Sequence, residues 1–249
     1  MTDVALDGGD FYDEPHVFAV YHAHRTSGTS PNELIEGPAV LELLGPVRGL
    51  RILELGCGDG QFARYLLAEG CAAYTGIDAS TRMVALAQQA LAGTAGAVQR
   101  TRIEHFAAPP ASVDLVVSRL ALHYVDDVRP VFERARQALR PGGRLLFSVE
   151  HPVITSCDRG WDQRGPRADW LVDDYFVSGR RETAWLGGRV VKFHRTVEQY
   201  VTLVQDAGFI LERLREPGPE RARFTSEAEF RRRQRSPLFL LLAAGTPAT

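Results

Sequence analysis

Lysine, cysteine and long apolar runs are all scarce in this chain of 249 residues. Lys192 is the only lysine among 29 basic residues, which we interpret, with the abundant alanine, as GC-rich codon usage. Arginine counts are therefore weak evidence for function. The three cysteines (Cys57, Cys71 and Cys157) lack the spacing of a metal site, and an odd number of cysteines does not suit a disulfide framework. We therefore expect a reducing, cytoplasmic setting. The longest apolar run, residues 238–244, is only strand-sized, and no signal segment opens the chain.

Charge and composition further limit the class of protein and the kind of partner to be expected. Hydrophobic residues make up 45% and charged residues 24% of the chain, which excludes a disordered protein. The net charge of -2 gives no electrostatic reason to expect a nucleic-acid or membrane partner. We interpret the arginine-rich run at 231–235 as a solvated loop. A small-molecule partner is expected, and the oligomeric state stays open.

Strand and helix patterns alternate through the middle of the chain. Apolar runs predict strands at 51–55, 74–78, 98–103, 113–117 and 144–149, separated by amphipathic helices. Two further strands are predicted at 209–214 and 238–244. Alternation of this kind is typical of parallel βαβ units, so we predict a doubly wound α/β sheet with helices on both faces.

Two segments interrupt this alternation, and we predict one domain over residues 1–249 that includes both. The aromatic N-terminal segment, residues 1–45, is predicted to form a helical lid, with a helix capped by Ser30 and Glu33. Residues 153–195 hold all three tryptophans and a predicted hairpin turning at Gly187-Gly188. This insertion is too short for an independent domain, so we interpret it as a cap.

A glycine-rich loop leaves the first strand. It reads Glu54-Leu-Gly-Cys-Gly-Asp-Gly60, and glycines at alternate positions let the backbone turn sharply and approach a ligand. Asp78 ends the second strand, where a carboxylate can accept both hydroxyls of a ribose. Together they predict a nucleoside-like ligand over the carboxyl ends of the first two strands.

The spacing of this loop bears on which nucleoside binds. A dinucleotide loop reads G-x-G-x-x-G, whereas Gln61 stands here where its third glycine belongs. Glu54 and Asp59 add negative charge beside the loop, which would repel a pyrophosphate. A ligand with cationic ammonium and sulfonium groups suits this site, and S-adenosylmethionine (SAM) has both.

Three ordered motifs resemble the class I SAM-dependent methyltransferases of the small-molecule branch. They are the loop at 53–60, Gly-Ile-Asp-Ala-Ser at 76–80, and Leu-Arg-Pro-Gly-Gly at 139–143; Asp-Ala-Gly-Phe at 206–209 is a common ending before the sixth strand. The resemblance implies SAM as cofactor. It also implies a Rossmann-like, mostly parallel sheet of seven strands whose last strand is antiparallel.

The resemblance also implies cofactor contacts. Asp78 would hold the ribose, Gly56 and Gly58 the methionine moiety, and Met83 and Ile103 the adenine. Arg25 could pair with the SAM carboxylate, although a solvated arginine is an equal alternative. The full predicted cofactor set is Arg25, Glu54, Gly56, Gly58, Asp78, Ala79, Met83, Ile103, Ser118 and Leu122.

The acceptor chemistry should lie where the fourth and fifth strands end, because ligands of open α/β sheets sit outside the carboxyl ends of strands. His123 and His151 are the candidate bases, since imidazole titrates near neutrality. Packing roles for both remain alternatives. Glu150 could bind an acceptor amine or orient His151. The predicted substrate walls are Tyr12, Tyr21, His22, Tyr124 and Trp185.

The sequence lacks the motifs of two other classes of methyltransferase. Amino-methylating nucleic-acid enzymes carry an Asn or Asp, two prolines and an aromatic residue after strand four, where Ser-Arg-Leu stands at 118–120. No carboxylate cluster near strand four supports a metal-dependent enzyme, so we expect no metal. A non-catalytic SAM-binding or assembly protein remains an alternative. We predict methylation of a neutral, aromatic-bearing metabolite, indole-like or phenolic, in secondary metabolism; the sequence leaves open whether carbon, nitrogen or oxygen is methylated.

Overall fold

A seven-stranded sheet forms the centre of the molecule, which we describe from a computed structural model covering residues 4–25, 29–162 and 169–248. In chain order the strands of the described residues are β1 (Arg51–Leu55), β2 (Ala73–Asp78), β3 (Gly96–Arg100), β4 (Val113–Arg119), β5 (Leu139–Glu150), β6 (Trp161–Asp162), β7 (Asp169–Trp170), β8 (Gly179–Trp185), β9 (Gly188–His194), β10 (Ile210–Arg215) and β11 (Phe239–Gly245). Strands β6 and β7 pair with each other outside the central sheet, and so do β8 and β9. The sheet has the order β3-β2-β1-β4-β5-β11-β10. Only β11 runs antiparallel to its neighbours, which confirms the predicted Rossmann-like sheet.

Helices connect these strands. They are α1 (Gly8–Asp13), α2 (Pro15–Arg25), α3 (Gly37–Leu44), α4 (Gln61–Ala68), α5 (Thr81–Ala90), α6 (Arg129–Ala138), α7 (Pro152–Thr155), α8 (Val197–Asp206) and α9 (Glu227–Arg233). A π-helical turn, Asn32–Glu36, precedes α3. The predicted cap exchange is present there, because the Ser30 hydroxyl donates to the Glu33 carboxylate at 2.9 Å and accepts the Glu33 N–H at 3.4 Å. None of the helices in these residues is long and apolar enough to cross a membrane.

Two predicted boundaries and one predicted loop are wrong. The arginine-rich run at 231–235, predicted to be a loop, lies partly in helix α9, which ends at Arg233. The third strand ends at Arg100, and Ile103 lies instead in a short 3₁₀ turn, Ile103–His105. The fifth strand begins at Leu139 and not at residue 144, so the Leu-Arg-Pro-Gly-Gly motif at 139–143 lies within it. Gly142 has a φ of +73° and the pairing register with β4 shifts nearby, so the motif forms a bulge in the strand.

The core lies on both faces of the sheet because its central strands are apolar throughout. In β11, Leu240 and Leu242 pack in the cluster on one face, while Leu241 packs in the cluster on the other. A strand buried on both sides loses the alternating pattern of a half-exposed strand. Helices covering both faces leave the edge at the carboxyl ends of the parallel strands for a site.

The N-terminal helices pack against the hairpin of β8 and β9. Phe11, Val17 and Val190 form a third, small apolar cluster. The backbone of Leu6 bridges to β9, donating to the carbonyl of Arg189 at 3.0 Å and accepting the N–H of Val191 at 2.9 Å. The predicted lid and cap segments are therefore in contact with each other.

Candidate active site

The loop after β1 turns at the carboxyl edge of the sheet. Gly56 and Gly58 have φ values of +78° and +54°, in the left-handed region that glycine adopts readily. A Cβ at Gly56 would lie 2.4 Å from the Cβ of Ala121, so a side chain would collide there. A Cβ at Gly58 would meet no heavy atom within 4 Å. The loop thus presents bare backbone to open space at Gly58, as a ligand lying on it requires.

Asp78 ends β2 beside this loop. One carboxylate oxygen accepts the N–H of Gly58 at 2.9 Å, and the other accepts the N–H of Ser80 at 2.9 Å. Each oxygen keeps capacity for another hydrogen bond, so two neighbouring hydroxyls could be held. Burial raises the pKa of Asp78, against the lowering effect of these backbone donors. The geometry fits the predicted ribose contact.

Helix α5 follows directly after Asp78 and carries Met83, a predicted adenine contact. The Ser80 hydroxyl accepts the N–H of Met83 at 3.1 Å, which caps the helix, and the Met83 side chain is buried. Gly9 of α1 lies against Ala79, where a Cβ on the glycine would be 2.7 Å from the alanine methyl. Helix α1 therefore covers the turn that carries Asp78.

Glu54 is buried behind the glycine loop. Tyr74 donates its hydroxyl to the carboxylate at 2.6 Å. Burial raises the pKa of Glu54 to about 7, although the bond from Tyr74 and the charge of Arg119 lower it. This carboxylate is poised between its charged and neutral forms near neutral pH, so a cationic group nearby would favour the charged form.

The remaining predicted cofactor residues line the same edge or are buried beneath it. The Ile103 Cδ1 lies 3.6 Å from where a Cβ would stand on Gly56. Ser118 is fully buried and donates its hydroxyl to the Leu55 carbonyl at 2.8 Å, so that hydroxyl ties β4 to β1. Leu122 is buried in the core cluster that also contains Ile103. Arg25 and His22 belong to α2, but their side chains lie outside the described part of the structure.

Tyrosines from two distant segments meet at the predicted acceptor side. The hydroxyl oxygens of Tyr12 and Tyr124 are 3.1 Å apart, and the ring of Tyr21 lies 5.0 Å from that of Tyr12. Gly8 permits this approach, because a Cβ there would be 2.9 Å from the Tyr124 ring. Burial raises the pKa of both Tyr12 and Tyr124, so both hydroxyls keep their protons at neutral pH.

Glu150 lies at the end of β5 next to these tyrosines. Lys192 of β9 donates to its two carboxylate oxygens at 2.7 and 2.8 Å, and the Glu150 N–H donates to His123 Nδ1 at 3.4 Å. Burial acts to raise the pKa of Glu150, but the charge of Lys192 outweighs it, with a smaller effect from His123 when that ring is protonated, and together they hold that pKa below its usual range. Burial lowers the pKa of His123 to about 4. At neutral pH the site therefore holds a carboxylate and an uncharged imidazole.

Lys192 was missed as a site residue by sequence reasoning. The available signal was its being the only lysine in a chain rich in arginine. Its ammonium lies 5.4 Å from the ring centroid of Trp185, a predicted substrate wall that is 44% exposed. The hairpin of β8 and β9 thus contributes to the same edge as the ends of β4 and β5.

His151 is held by its neighbours. Its Nδ1 accepts the N–H of Val153 at 3.1 Å and so caps α7, while its Nε2 lies 2.6 Å from a carboxylate oxygen of Glu216, just after β10. Burial lowers the pKa of His151, opposed by the Glu216 carboxylate. In this arrangement both ring nitrogens are engaged, so a role as base would require His151 to exchange a partner.

The cofactor side fits SAM. Open backbone at Gly58, a carboxylate at Asp78 with free acceptor capacity, and a titratable carboxylate at Glu54 together suit a ribose beside a cationic amino-acid group. Gly56, Gly58 and Asp78 would hold the methionine and ribose moieties.

Comparison with known proteins agrees with this geometry. A family model described as a methyltransferase domain matches residues 53–147. The crystal structure of a SAM-dependent methyltransferase from Mesorhizobium loti is 38% identical and superposes with a TM-score of 0.79, covering 87% of this chain and 98% of that one. An uncharacterised protein of Haemophilus influenzae is 28% identical over 83% of this chain and 85% of its own length. A ubiquinone biosynthesis O-methyltransferase of Paracidovorax citrulli is 38% identical over 43% of this chain, and only 46% of that relative is covered.

The chain belongs to the SAM-dependent methyltransferases. It is an enzyme family whose cofactor is SAM, as the glycine loop and Asp78 predicted. The family match ends at residue 147, before Glu150 and Lys192.

Proposed function

We propose that this enzyme methylates a small, aromatic-bearing acceptor that binds between the N-terminal helices and the ends of β4 and β5. The proposal is carried by one observation. Tyr12 and Tyr124 join their hydroxyls at 3.1 Å beside the buried Glu150–Lys192 pair, at the edge that also carries the cofactor loop. Helix α1 contacts both the proposed acceptor site, through Tyr12, and the cofactor side, because Gly9 lies against Ala79.

Aromatic rings surround this proposed acceptor site. Tyr12, Tyr21 and Tyr124 pack edge to face, and Trp185 offers a partly exposed ring from the hairpin. Such rings bind a flat ligand by stacking and edge contacts while their polar tips remain available for hydrogen bonding. We propose that residues 1–45 and 153–195 act as the lid and cap around this acceptor, within one catalytic domain.

The polar groups of the site suit an acceptor that carries a hydroxyl or amine. In the Tyr12–Tyr124 pair one hydroxyl donates to the other, which leaves a proton on the accepting hydroxyl for a ligand. Glu150 supplies an acceptor for a ligand N–H or O–H. His123 is a weaker candidate for a base, because its Nδ1 already accepts the Glu150 N–H and burial lowers its pKa to about 4. SAM, when bound, supplies a methyl group already activated on a sulfonium sulfur. Alignment and desolvation are then the main tasks of these side chains.

The relatives support O-methylation as one form of this reaction without defining the acceptor. The P. citrulli relative is named for O-methylation, but less than half of its length is matched. We propose a phenolic or indole-like ring of natural-product metabolism, and no nucleic-acid partner, since the chain has a net charge of -2.

A transfer assay with methyl-labelled SAM tests the proposal. Phenols, indoles and aromatic amines would be offered beside an RNA and a DNA duplex, and products would be read by mass. We expect a labelled small aromatic product. Label on nucleic acid alone would overturn the acceptor class, and SAM binding without any transfer would favour the non-catalytic alternative.

A pair of variants locates the acceptor in the structure. Tyr124→Phe removes one member of the hydroxyl pair and should raise the acceptor KM about threefold to tenfold. Tyr65→Phe removes a hydroxyl from the surface of α4 and should leave that KM unchanged. Equal effects of the two substitutions would place the acceptor elsewhere.

A further inference from the structure

Lys192 and Glu150 form a buried ion pair at the proposed acceptor site. The lysine side chain is 3% exposed and the glutamate side chain 19%. The ammonium nitrogen bonds to both carboxylate oxygens, at 2.7 and 2.8 Å, and lies 6.0 Å from the Tyr124 ring centroid. The lysine thereby fixes both oxygens at once.

Stability alone is a poor reason for such a pair. Desolvating two charges costs about as much as their attraction returns, and apolar residues of similar volume are often as stabilising. A surface hairpin such as β8–β9 could be held by the apolar contacts of Val190 with Phe11 and Val17, which it already makes. The charged pair at its inner face therefore needs another explanation.

The groups around Glu150 show what the pair controls. His123 faces it from the turn after β4, Tyr12 from α1, Tyr124 from the same turn as His123, and Tyr200 from α8. Arg195 lies near His123 and Tyr200 but donates to the backbone carbonyls of residues 125 and 126. Among the residues that the structure describes, Lys192 is the only cation hydrogen-bonded to Glu150.

We propose that Lys192 is a positioning residue, which holds Glu150 as an oriented carboxylate that accepts a hydrogen bond from the O–H or N–H of the acceptor. Lys192 acts through Glu150 and does not touch the acceptor. This inference rests on the proposed function, since it assigns the acceptor to the same edge. Without the ammonium, the buried carboxylate would take up a proton and offer a donor where the acceptor needs an acceptor atom.

Replacing Lys192 while keeping its shape tests this role. Lys192→Met should raise the acceptor KM at neutral pH at least tenfold and move the acidic limb of kcat/KM upward by at least one pH unit. Affinity for S-adenosylhomocysteine should stay within about threefold of the parent. Lys192→Arg keeps the charge and should keep the acidic limb near its original position. Arg129→Met, which breaks the exposed pair with Asp206, is the matched control and should change neither.

The double variant Lys192→Met/Glu150→Gln covers the case in which the single variant unfolds. Removing both charges should restore folding, retain cofactor binding and give a kcat/KM profile without the Glu150 limb. A folded Lys192→Met enzyme with an unchanged KM and pH profile would overturn the inference. So would a double variant whose acceptor KM and acidic limb match the parent. If the parent enzyme transfers no methyl group to any aromatic acceptor, the proposed function fails instead, which distinguishes the two failures.

Discussion

Asp13, at the end of α1, accepts the hydroxyl of Ser80 at 2.6 Å, across 67 positions of the chain. The same carboxylate accepts the N–H groups of Thr81 at 3.1 Å and Arg82 at 3.0 Å. A residue of the N-terminal segment therefore caps the helix that follows Asp78. Burial acts to raise the pKa of Asp13, but these donors outweigh it and hold that pKa below its usual range. Docking of α1 and ordering of the cofactor turn are thus coupled.

Asp13→Ala should release α1 from this turn. Loss of a cap costs on the order of 1 kcal/mol, so affinity for S-adenosylhomocysteine should fall roughly threefold to tenfold. Calorimetry measures the affinity, and limited proteolysis should show faster cleavage of the N-terminal segment. Asp10→Ala is the control on the same helix, because the ion pair of Asp10 with Arg102, at 3.4 Å, lies at the surface. Equal affinities of the two variants would contradict the coupling.

Asp78→Ala should weaken cofactor binding more strongly. Two hydrogen bonds from ribose hydroxyls to a carboxylate contribute on the order of 2–4 kcal/mol. The matched control is Asp114→Ala at the start of β4, where the carboxylate accepts the Arg51 N–H at 2.8 Å. Calorimetry with S-adenosylhomocysteine should show the loss only for Asp78→Ala. A folded Asp78→Ala protein of parental affinity would refute the ribose contact.

From the raised pKa of Glu54 we predict that cofactor binding depends on pH. Its pKa of about 7 means that the free protein is largely protonated there at pH 6. A bound ammonium group favours the carboxylate, so binding expels the proton and affinity rises with pH. Between pH 6 and 8 the Kd of SAM should fall about tenfold, and Glu54→Gln should flatten this dependence. A parental Kd that stays constant over this range would show that no cation of the ligand lies near Glu54.

The glycine loop and Asp78 could be predicted because each depends on local sequence. The loop needs glycines at alternate positions, and Asp78 directly ends a strand. The presence of all seven strands of the sheet was also predictable, but the end of β3 and the start of β5 were not, because neither boundary coincides with the end of an apolar run. Lys192 could not be placed from the sequence, because its meeting with Glu150 depends on how the β8–β9 hairpin folds back onto the sheet. His151 carried the right residue type at the right strand end, but the contact with Glu216 is formed 65 positions later and leaves no local signal.

His123 makes the folded protein sensitive to acid. Its folded pKa of about 4 lies below the ordinary value of 6.5, so the unfolded chain binds the proton first as pH falls. Stability from this group is complete above pH 6.5 and is lost towards pH 4, by about 3 kcal/mol in total. Glu54 acts in the opposite direction, since its raised pKa makes stability fall as pH rises through 7. Urea unfolding of His123→Gln in a Glu54→Gln background should show less acid sensitivity than Glu54→Gln alone; an identical slope would argue against this assignment.

His151 and His123 can be separated as candidate bases. If His151 removes a proton from the acceptor, His151→Asn should lower turnover by roughly 10²–10⁴-fold. Because both of its ring nitrogens are engaged, we expect His151→Asn, which can still cap α7, to keep turnover within about tenfold of the parent. His151→Ala should additionally lose about 1 kcal/mol of stability. The measurement is kcat against pH for these variants and for His123→Gln.

The burial of the only lysine gives this enzyme a single internal amine. Within these 249 residues Lys192 is the one side chain that amine-reactive reagents can modify, and an α-amino group has a lower pKa, about 8, which separates the two kinds of amine by pH. With its side chain 3% exposed, Lys192 should react only when the β8–β9 hairpin lifts from the sheet. The labelling rate of the Lys192 amine would therefore report how often the β8–β9 hairpin opens at the proposed acceptor site, and a bound ligand that closes this site should slow that rate.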